Sequence, residues 1–372
     1  MLDVTQLGEK IRRYRQKMSL TQTALAGKLR VSFQAISSWE TGMTLPDIEN
    51  LCRLSSIFGV SVDTLLQREA SEGEEIMIAI DGGGTSAEFA LFTSGGSLLT
   101  SFKLPGTNAS VVGLETAHSI FRQGIDLCLA KTGQVSKVFI GNAGSELSQI
   151  SKMLSKDYPG MVFHVTSDGV NALKSADCDA ALICGTGSIM IREEGSDYRF
   201  VGGWGYLVGD PGSAYNIGRD AIREALAYGD GMHGEAMLYC MIREKYGLSL
   251  LQEYDQKPVA FIASIAPLVF EAYEKGDSVA ETILHDEMRA LAAQVNTVLP
   301  QGGRMVACGG VMEHYHKHLI PILQQYADPR ISFVLPELPP IYGACVACCE
   351  FYGVRMGDSF EKSFAADYRF LC

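Results

Sequence analysis

The chain has 372 residues, of which 47% are hydrophobic and 20% charged, and this length accommodates two or three domains with a sizeable core. No run approaches the roughly 20 apolar residues of a transmembrane helix, and the first ten residues lack the apolar centre of a signal peptide. We therefore expect a cytoplasmic protein without membrane contacts. The net charge is −12, yet residues 1–67 hold eight Lys and Arg against six Asp and Glu. An acidic body repels DNA, so any contact with DNA is expected from residues 1–67.

Five short helices are predicted within residues 1–67, which have enough apolar residues for a core of their own. The first covers residues 5–18 and places on one face Leu7, Ile11, Tyr14 and Met18. The next four begin near Thr21, Ser32, Pro46 and Val62. On the apolar side of the fourth we expect Ile48, Leu51, Leu54, Ile57 and Phe58. The polar residues 68–75 are predicted to form a linker.

These residues resemble the Cro/C1 (XRE) type of helix-turn-helix. The resemblance rests on Thr21, Gln22, Ala26, Val31, Ser32, Gln34, Ile36, Ser37, Trp39, Glu40, Gly42, Leu45 and Pro46. It implies that the third helix reads bases in the major groove of a double-stranded DNA operator. The implied DNA-binding residues are Gln22, Ser32, Phe33, Gln34, Ser37 and Ser38. One such module reads one half-site, so we expect a homodimer.

Single positions of this module have alternative interpretations. Gln34 is suited to a bidentate contact with adenine, and Gln22 to a phosphate contact that fixes orientation. The first helix carries the basic residues Lys10, Arg12, Arg13, Arg15 and Lys17. This run either neutralises backbone phosphates or is a solvated helix face.

From residue 76 the pattern changes to short apolar runs typical of strands, such as IMIAID, EFALF and RMVACGG, separated by helical stretches. The clearest helical stretches are residues 114–131, 214–228 and 278–299. This alternation predicts an α/β fold.

Three glycine-rich turns follow predicted strands. They are Asp81-Gly82-Gly83-Gly84-Thr85, Gly185-Thr186-Gly187-Ser188 and Gly309-Gly310. The first two lie between two strands, unlike the phosphate loops that open a helix. Glycines let backbone amides approach phosphate oxygens, and Asp81 is a candidate ligand of Mg²⁺, directly or through water.

Three such turns at these separations resemble the actin/Hsp70/hexokinase superfamily. Within it, residues 76–352 resemble the BadF/BadG/BcrA/BcrD ATPase family and its N-acetylglucosamine kinase branch. The strongest match is GGWGYLVGDPGSAYNIG at residues 202–218, together with GGGTSAE, GTN, TSD and GTGS. The resemblance implies an all-α helix-turn-helix domain at 1–67 and a two-lobed, ribonuclease H-like ATPase domain at 76–372. Lobe I would cover about 76–178 plus 340–372, and lobe II about 179–339.

The resemblance also implies ATP and Mg²⁺ as cofactors and assigns roles to residues. Asp168 would accept the proton of the sugar hydroxyl, although by itself it also reads as a helix N-cap. The implied nucleotide-binding residues are Gly82, Gly83, Gly84, Thr85, Gly185, Thr186, Gly187, Ser188, Gly309 and Gly310. The implied sugar-binding residues are Asn108, Gly203, Trp204, Gly205 and Asp210. Trp204 either packs on the sugar or fills the core between the lobes.

Two residues depart from the family pattern, and two clusters of residue types that can bind metals are predicted to have other roles. Pro211 stands where the kinases usually have glutamate, which affects sugar specificity, and Asn142 stands where an apolar residue is usual. The cysteines at 345, 348 and 349 are predicted to be core residues, because no second C-x-x-C completes a zinc site. The histidines at 314, 316 and 318 are predicted to lie on a solvated helix face.

Three functions remain open. The first is a DNA-binding, ATP-dependent kinase of N-acetylglucosamine or a related amino sugar, coupled to transcription. The second is a regulator whose kinase-like body only senses sugar or nucleotide, and the third is a dehydratase-activator ATPase. Asp81, Thr85 and Asp168 favour turnover. The third needs an iron–sulfur cysteine motif that Cys178 and Cys184 do not supply.

Overall fold

The structure is a computed structural model that describes residues 4–66, 73–195, 197–232, 236–253 and 258–371. Its N-terminal part is a bundle of five helices. These are α1 (Val4–Lys17), α2 (Gln22–Leu29), α3 (Phe33–Glu40), α4 (Ile48–Phe58) and α5 (Val62–Leu66). Residues 68–72 of the predicted linker lie outside the described ranges.

Side-chain caps set the starts of these helices. The Thr21 hydroxyl accepts the Ala24 amide and the Ser32 hydroxyl accepts the Ala35 amide, each at 3.1 Å. Such caps satisfy amides that have no partner within the helix. The core of the bundle contains Leu7, Ile11, Leu25, Ala26, Leu29, Ile36, Trp39, Leu54 and Leu65.

Two expectations for this bundle are wrong. Met18 follows the last residue of α1 and is 46% exposed, because the chain has left the helix face that packs inward. Ile48 is 81% exposed, since it is the first residue of α4 and lies outside the bundle. Leu54, six residues further on, is fully buried as predicted.

The second part of the chain begins with a five-stranded sheet in the order β3-β2-β1-β4-β5. Its strands are β1 (Ile76–Gly82), β2 (Ser86–Thr93), β3 (Leu98–Pro105), β4 (Lys137–Asn142) and β5 (Val162–Thr166). The first three strands form an antiparallel meander, and β4 and β5 continue the sheet parallel to β1. The intervening helices are α6 (Ala109–Val112), α7 (Leu114–Leu129), α8 (Leu147–Asp157) and α9 (Asp168–Lys174).

A second sheet repeats this arrangement in the order β8-β7-β6-β9-β10. Its strands are β6 (Ala180–Cys184), β7 (Ser188–Glu194), β8 (Asp197–Gly202), β9 (Gly303–Cys308) and β10 (Ile331–Val334). Again a three-stranded meander is followed by two parallel strands. Helices of this half are α10 (Ala214–Gly229), α11 (Met237–Glu253), α12 (Val259–Ala263), α13 (Ala266–Glu274), α14 (Ser278–Val298) and α15 (Gly310–Tyr326). The three helical stretches predicted from sequence correspond to α7, α10 and α14.

The last two helices, α16 (Pro340–Phe351) and α17 (Phe360–Leu371), return to the first sheet. The Cys348 thiol of α16 lies 3.8 Å from the Met77 sulfur on β1. Helix α16 also crosses α9 so closely that a Cβ on Gly343 would lie 1.9 Å from the Asn171 carbonyl oxygen. The crossing fixes α9, which leads from the first sheet into the second.

Two further features concern the whole described chain. Among the described helices, none combines the length and the apolar character that a bilayer crossing requires. The cysteines at 345, 348 and 349 are buried in α16, which confirms the prediction that they are core residues.

Candidate functional site

The first glycine turn joins β1 to β2 and is held from behind by other backbone. The Gly83 carbonyl accepts the amides of Thr107 and Asn108 at 3.0 and 3.3 Å. A Cβ on Gly82 would lie 2.1 Å from the Asn142 oxygen, so only glycine fits there. On Gly84, by contrast, a Cβ would meet no atom within 4 Å. The turn therefore has one packed side and one open side, as a phosphate cradle needs.

The second glycine turn joins β6 to β7 and occupies the equivalent place in the second sheet. The Gly185 amide donates to the Gly187 carbonyl at 2.9 Å. Gly309 has a φ of +88°, and a Cβ there would lie 2.7 Å from the Cys184 carbonyl oxygen. The structure thus brings the third glycine turn beside the second, with Gly310 open to space.

Two aspartates lie at the ends of elements of the first half and are close enough for their charges to interact. Asp81 is near the end of β1, and Asp168 is the first residue of α9, where Ser167 supplies the cap. Burial raises the pKa of Asp81 to about 7, and the nearby charge of Asp168 adds to this effect. Burial also raises the pKa of Asp168, against hydrogen bonds from Ser167 and backbone amides. Both carboxyl groups are thus closer to the basicity that a proton acceptor needs.

The residues present suit a magnesium–nucleotide complex. Carboxylates and backbone amides are the groups that bind Mg²⁺ and phosphate in proteins. Asp81 provides the carboxylate, and the open sides of Gly84 and Gly310 leave room for phosphate oxygens. The assignment of these residues to ATP and Mg²⁺ stays a prediction.

The loop at residues 202–213 lies against the second glycine turn. A Cβ on Gly187 would lie 2.7 Å from an Asp210 carboxylate oxygen, and the Gly205 amide donates to Asp210 at 3.2 Å. Asp210 has a φ of +59°, which is costly for a residue with a side chain and persists only when its surroundings impose it. Trp204 is 80% exposed at the tip of this loop, so it does not fill the core between the lobes.

A buried polar group that the sequence analysis missed supports this loop. The Gly212 amide donates to Glu287 of α14 at 2.5 Å, and Arg219 lies 3.5 Å from the other oxygen of Glu287. Burial raises the pKa of Glu287, and its hydrogen-bonded neighbour Asp220 adds to the effect. Pro211, which replaces the usual glutamate, accepts the Ser188 hydroxyl through its carbonyl at 2.8 Å. No local sequence pattern predicted this role of Glu287, because Glu287 lies 75 residues from its partner Gly212.

Asn108 and Asn142 lie beside the first glycine turn. The Asn108 side chain accepts the Ser110 amide at 3.0 Å and caps the short helix α6. Asn142 accepts the Thr107 hydroxyl at 2.7 Å and donates to the Thr107 carbonyl at 3.3 Å. The departure at Asn142 thus ties the segment before Asn108 to the first glycine turn.

In the N-terminal domain, α3 presents part of its predicted base-reading surface. Phe33 and Gln34 are exposed, whereas the hydroxyl of Ser38 accepts the Thr44 hydroxyl at 2.8 Å and Ser37 is half-buried. The Ser32 hydroxyl is occupied by its cap bond. These DNA contacts stay predictions.

Three polar side chains of the same domain have internal roles. Arg15 is buried and pairs with Glu40 of α3 at 2.5 and 2.9 Å. Gln22 donates to the same carboxylate at 2.9 Å. Lys10 is 3% exposed and donates to the Thr64 carbonyl at 2.9 Å. Neither alternative for the basic run, phosphate contact or a solvated helix face, holds for Lys10 and Arg15, because both side chains are buried inside the domain.

The histidines of α15 have separate partners. His318 lies 2.8 Å from a Glu274 oxygen, and His314 lies 2.7 Å from the Gly310 carbonyl oxygen. The part of the chain that the structure describes contains no group of three or more His, Cys, Asp or Glu placed to hold a metal ion.

Two equivalent sheets, each with a hairpin turn of glycines at the cleft, define the two-lobed architecture of sugar kinases. Comparison with family models agrees: the BadF/BadG/BcrA/BcrD ATPase family model matches residues 78–346, and a helix-turn-helix model matches residues 11–65. The chain belongs to the BadF/BadG/BcrA/BcrD ATPase family and carries an XRE-type helix-turn-helix domain at its N-terminus. Both resemblances and the fold class are confirmed.

Two curated relatives that match the second part of the chain are sugar kinases. The chain is 30% identical over 300 residues to the N-acetylmuramic acid/N-acetylglucosamine kinase of Clostridium acetobutylicum, covering 73% of this chain and 97% of the relative. It is 30% identical over 260 residues to the N-acetyl-D-glucosamine kinase of Dictyostelium discoideum, covering 62% and 81%. A solved structure of an N-acetylglucosamine kinase candidate from Chromobacterium violaceum has a TM-score of 0.61 at 22% identity, covering 74% of this chain and 99% of that one. The last match supports the fold.

Proposed function

We propose that the protein phosphorylates N-acetylglucosamine or a related amino sugar with ATP, and that sugar or nucleotide binding alters its affinity for a DNA operator. The observation that carries the kinase part is that Asp81, at the first glycine turn, lies close enough to Asp168 at the start of α9 for their charges to interact, while the second and third glycine turns lie side by side. The two kinases with 30% identity support the choice of an amino sugar. The helix-turn-helix domain supports a double-stranded DNA partner.

The proposed reaction assigns a task to each part of the site. Asp168 accepts the proton of the sugar hydroxyl while the oxygen of that hydroxyl bonds to the γ-phosphorus of ATP. The bond between the γ-phosphorus and the oxygen that leaves with ADP breaks. MgATP supplies the phosphoryl group and a cation that offsets the phosphate charges. Because burial raises the pKa of Asp168, its carboxylate is a stronger proton acceptor than a solvated aspartate. Asp210 and Glu287 hold the 202–213 loop, which would contact the sugar.

An assay of ADP release over a panel of hexoses and amino sugars tests the kinase. Asp168→Asn keeps the size of the side chain and removes the base, so kcat should fall by roughly 10²–10⁴-fold. Asp177→Asn is the matched control, because its carboxylate is fully exposed to solvent, and it should leave kcat unchanged. Phosphorylation of no sugar, or equal activity of Asp168→Asn, would contradict the proposal.

The alternative function is a regulator that binds sugar without phosphorylating it. Pro211 favours it, because the substrate loop lacks the carboxylate that the kinase pattern has there. Measurement of binding to promoter DNA by fluorescence anisotropy, with and without sugar, addresses coupling in both cases. A sugar-dependent change in Kd supports coupling, and the oligomeric state by sedimentation tests the expected homodimer. Gln34→Ala should reduce sequence preference by about 1–3 kcal/mol if Gln34 reads a base.

A further inference from the structure

Asn171 is a buried side chain that contacts the predicted metal carboxylate. It lies on α9 and has no solvent exposure. Its amide nitrogen donates to Asp81 Oδ1 at 2.7 Å and lies 3.3 Å from the Gly141 carbonyl oxygen. A hydrogen bond in this direction stabilises the ionised carboxylate, which is the form that binds a cation. The contact engages Oδ1 of Asp81 and does not involve Oδ2.

Two glycines fix the position of Asn171. A Cβ on Gly141 of β4 would lie 2.2–2.4 Å from the atoms of the Asn171 carboxamide. A Cβ on Gly343 of α16 would lie 1.9 Å from its backbone carbonyl oxygen. The side chain of Asn171 is therefore confined by Gly141 and its backbone by Gly343, at positions where only glycine fits. Little freedom remains for the amide to turn away from Asp81.

The amide oxygen of Asn171 makes this arrangement costly. It is buried and has no hydrogen-bond partner among the described residues. A buried acceptor without a partner costs about 1–3 kcal/mol, and an apolar residue of similar size would avoid this cost. A residue that served only the packing of α9 would not need an amide here. Asn171 is also three residues after Asp168, so the two side chains are neighbours on one helix.

On the premise that the proposed function is correct, we propose that Asn171 is a positioning residue that orients the Asp81 carboxylate for the magnesium ion of MgATP. By holding one oxygen, it presents the other toward the cleft. Since Asn171 and Asp168 share one turn of α9, the same helix sets the positions of the metal carboxylate and the base. Loss of the amide should weaken cation binding before it affects sugar binding.

The test measures binding of Mn²⁺ together with a non-hydrolysable ATP analogue, by electron paramagnetic resonance. Outer partners of metal ligands commonly contribute 10–100-fold in metal affinity, so Asn171→Leu should raise the Mn²⁺ dissociation constant by at least tenfold. The variant removes both the unpartnered oxygen of Asn171 and the donor to the Asp81 oxygen, so Mn²⁺ affinity, and not the melting temperature, separates the two roles. A purely structural role predicts a lower melting temperature with unchanged Mn²⁺ affinity. That result would overturn the proposal.

Two further variants serve as a control and as a substitute for a variant that does not fold. Ser175→Ala removes another buried hydrogen bond of the same helix, to the Ala172 carbonyl at 2.7 Å, and should leave Mn²⁺ affinity unchanged. If Asn171→Leu does not fold, Asn171→Ser removes the amide without adding bulk, and unchanged Mn²⁺ affinity there overturns the proposal. A wild-type protein that binds the analogue but phosphorylates no sugar leaves this measurement intact. A wild type that binds no nucleotide overturns both this inference and the proposed function.

Discussion

The buried ion pair of the N-terminal domain provides a quantitative test of its stability. The side chains of Arg15 and Glu40 are 11% and 2% exposed, and Gln22 donates to the same carboxylate. Glu40→Gln leaves the Arg15 guanidinium buried without a counter-charge, which typically costs about 3–5 kcal/mol. At ~0.05–0.15 kcal/mol per residue, this domain has about 3–9 kcal/mol in all. We therefore expect Glu40→Gln to leave the domain marginally stable or unfolded.

Tryptophan fluorescence can follow this domain separately. The chain has two tryptophans: Trp39 is 6% exposed in the N-terminal core, and Trp204 is 80% exposed in the second part. In a Trp204→Phe background, urea unfolding monitored by emission reports on the N-terminal domain. The matched control is Glu49→Gln, because its pair with Arg53 is exposed and should contribute less than about 1 kcal/mol. An equally small loss for Glu40→Gln would refute the reasoning.

The same pair predicts a pH dependence of stability. Burial raises the pKa of Glu40, but the hydrogen bonds from Arg15 and Gln22 outweigh it and hold the pKa below its usual value. A carboxyl group of this kind stabilises the folded state fully above its unfolded pKa of about 4.3. This contribution is lost as the pH falls through the folded pKa. The difference in unfolding free energy between wild type and Glu40→Gln should shrink in that range.

Three further outcomes are expected. Gly343→Ala should destabilise the protein by about 1–3 kcal/mol and weaken nucleotide binding, because its Cβ would push α16 away from α9. Differential scanning calorimetry compares it with the control Gly133→Ala, whose Cβ would meet no atom within 4 Å. The kcat/KM for the sugar should fall on the acid side with an apparent pKa above the usual 3.9 of aspartate, since burial raises the pKa of Asp168; a pH–rate profile checks this. Ser32→Ala should cost about 1 kcal/mol through loss of the α3 cap, measured by urea unfolding in the Trp204→Phe background.

The sequence predicted the helices of the N-terminal domain well, because caps and apolar spacing act over a few residues. It failed for Lys10 and Arg15, whose charge suggests solvent while their partners, Thr64 and Glu40, lie far along the chain. A long basic side chain can be buried when a carbonyl or carboxylate group in the interior accepts its hydrogen bonds, and such a partner is visible only in the fold.

In the second part of the chain, too, local features were predictable from the sequence and distant partners were not. The glycine turns were predictable because each is a short local pattern that directly follows a predicted strand. Asn171 was missed, although its position three residues after Asp168 was a usable signal. Glu287 gave no such signal, since α14 reaches the substrate loop only through tertiary packing.

The matching strand orders of the two sheets have a consequence for ligand polarity. Two hairpin turns related by an internal repeat would hold a phosphate chain in either direction if they were chemically alike. They are not alike: Asp81 directly precedes the glycines of the first turn, whereas the carboxylate beside the second turn comes from Asp210 of the 202–213 loop. The two halves of the duplicated arrangement therefore take their carboxylates from different parts of the chain. Such an asymmetry would give a pseudo-symmetric site a defined direction for its ligand.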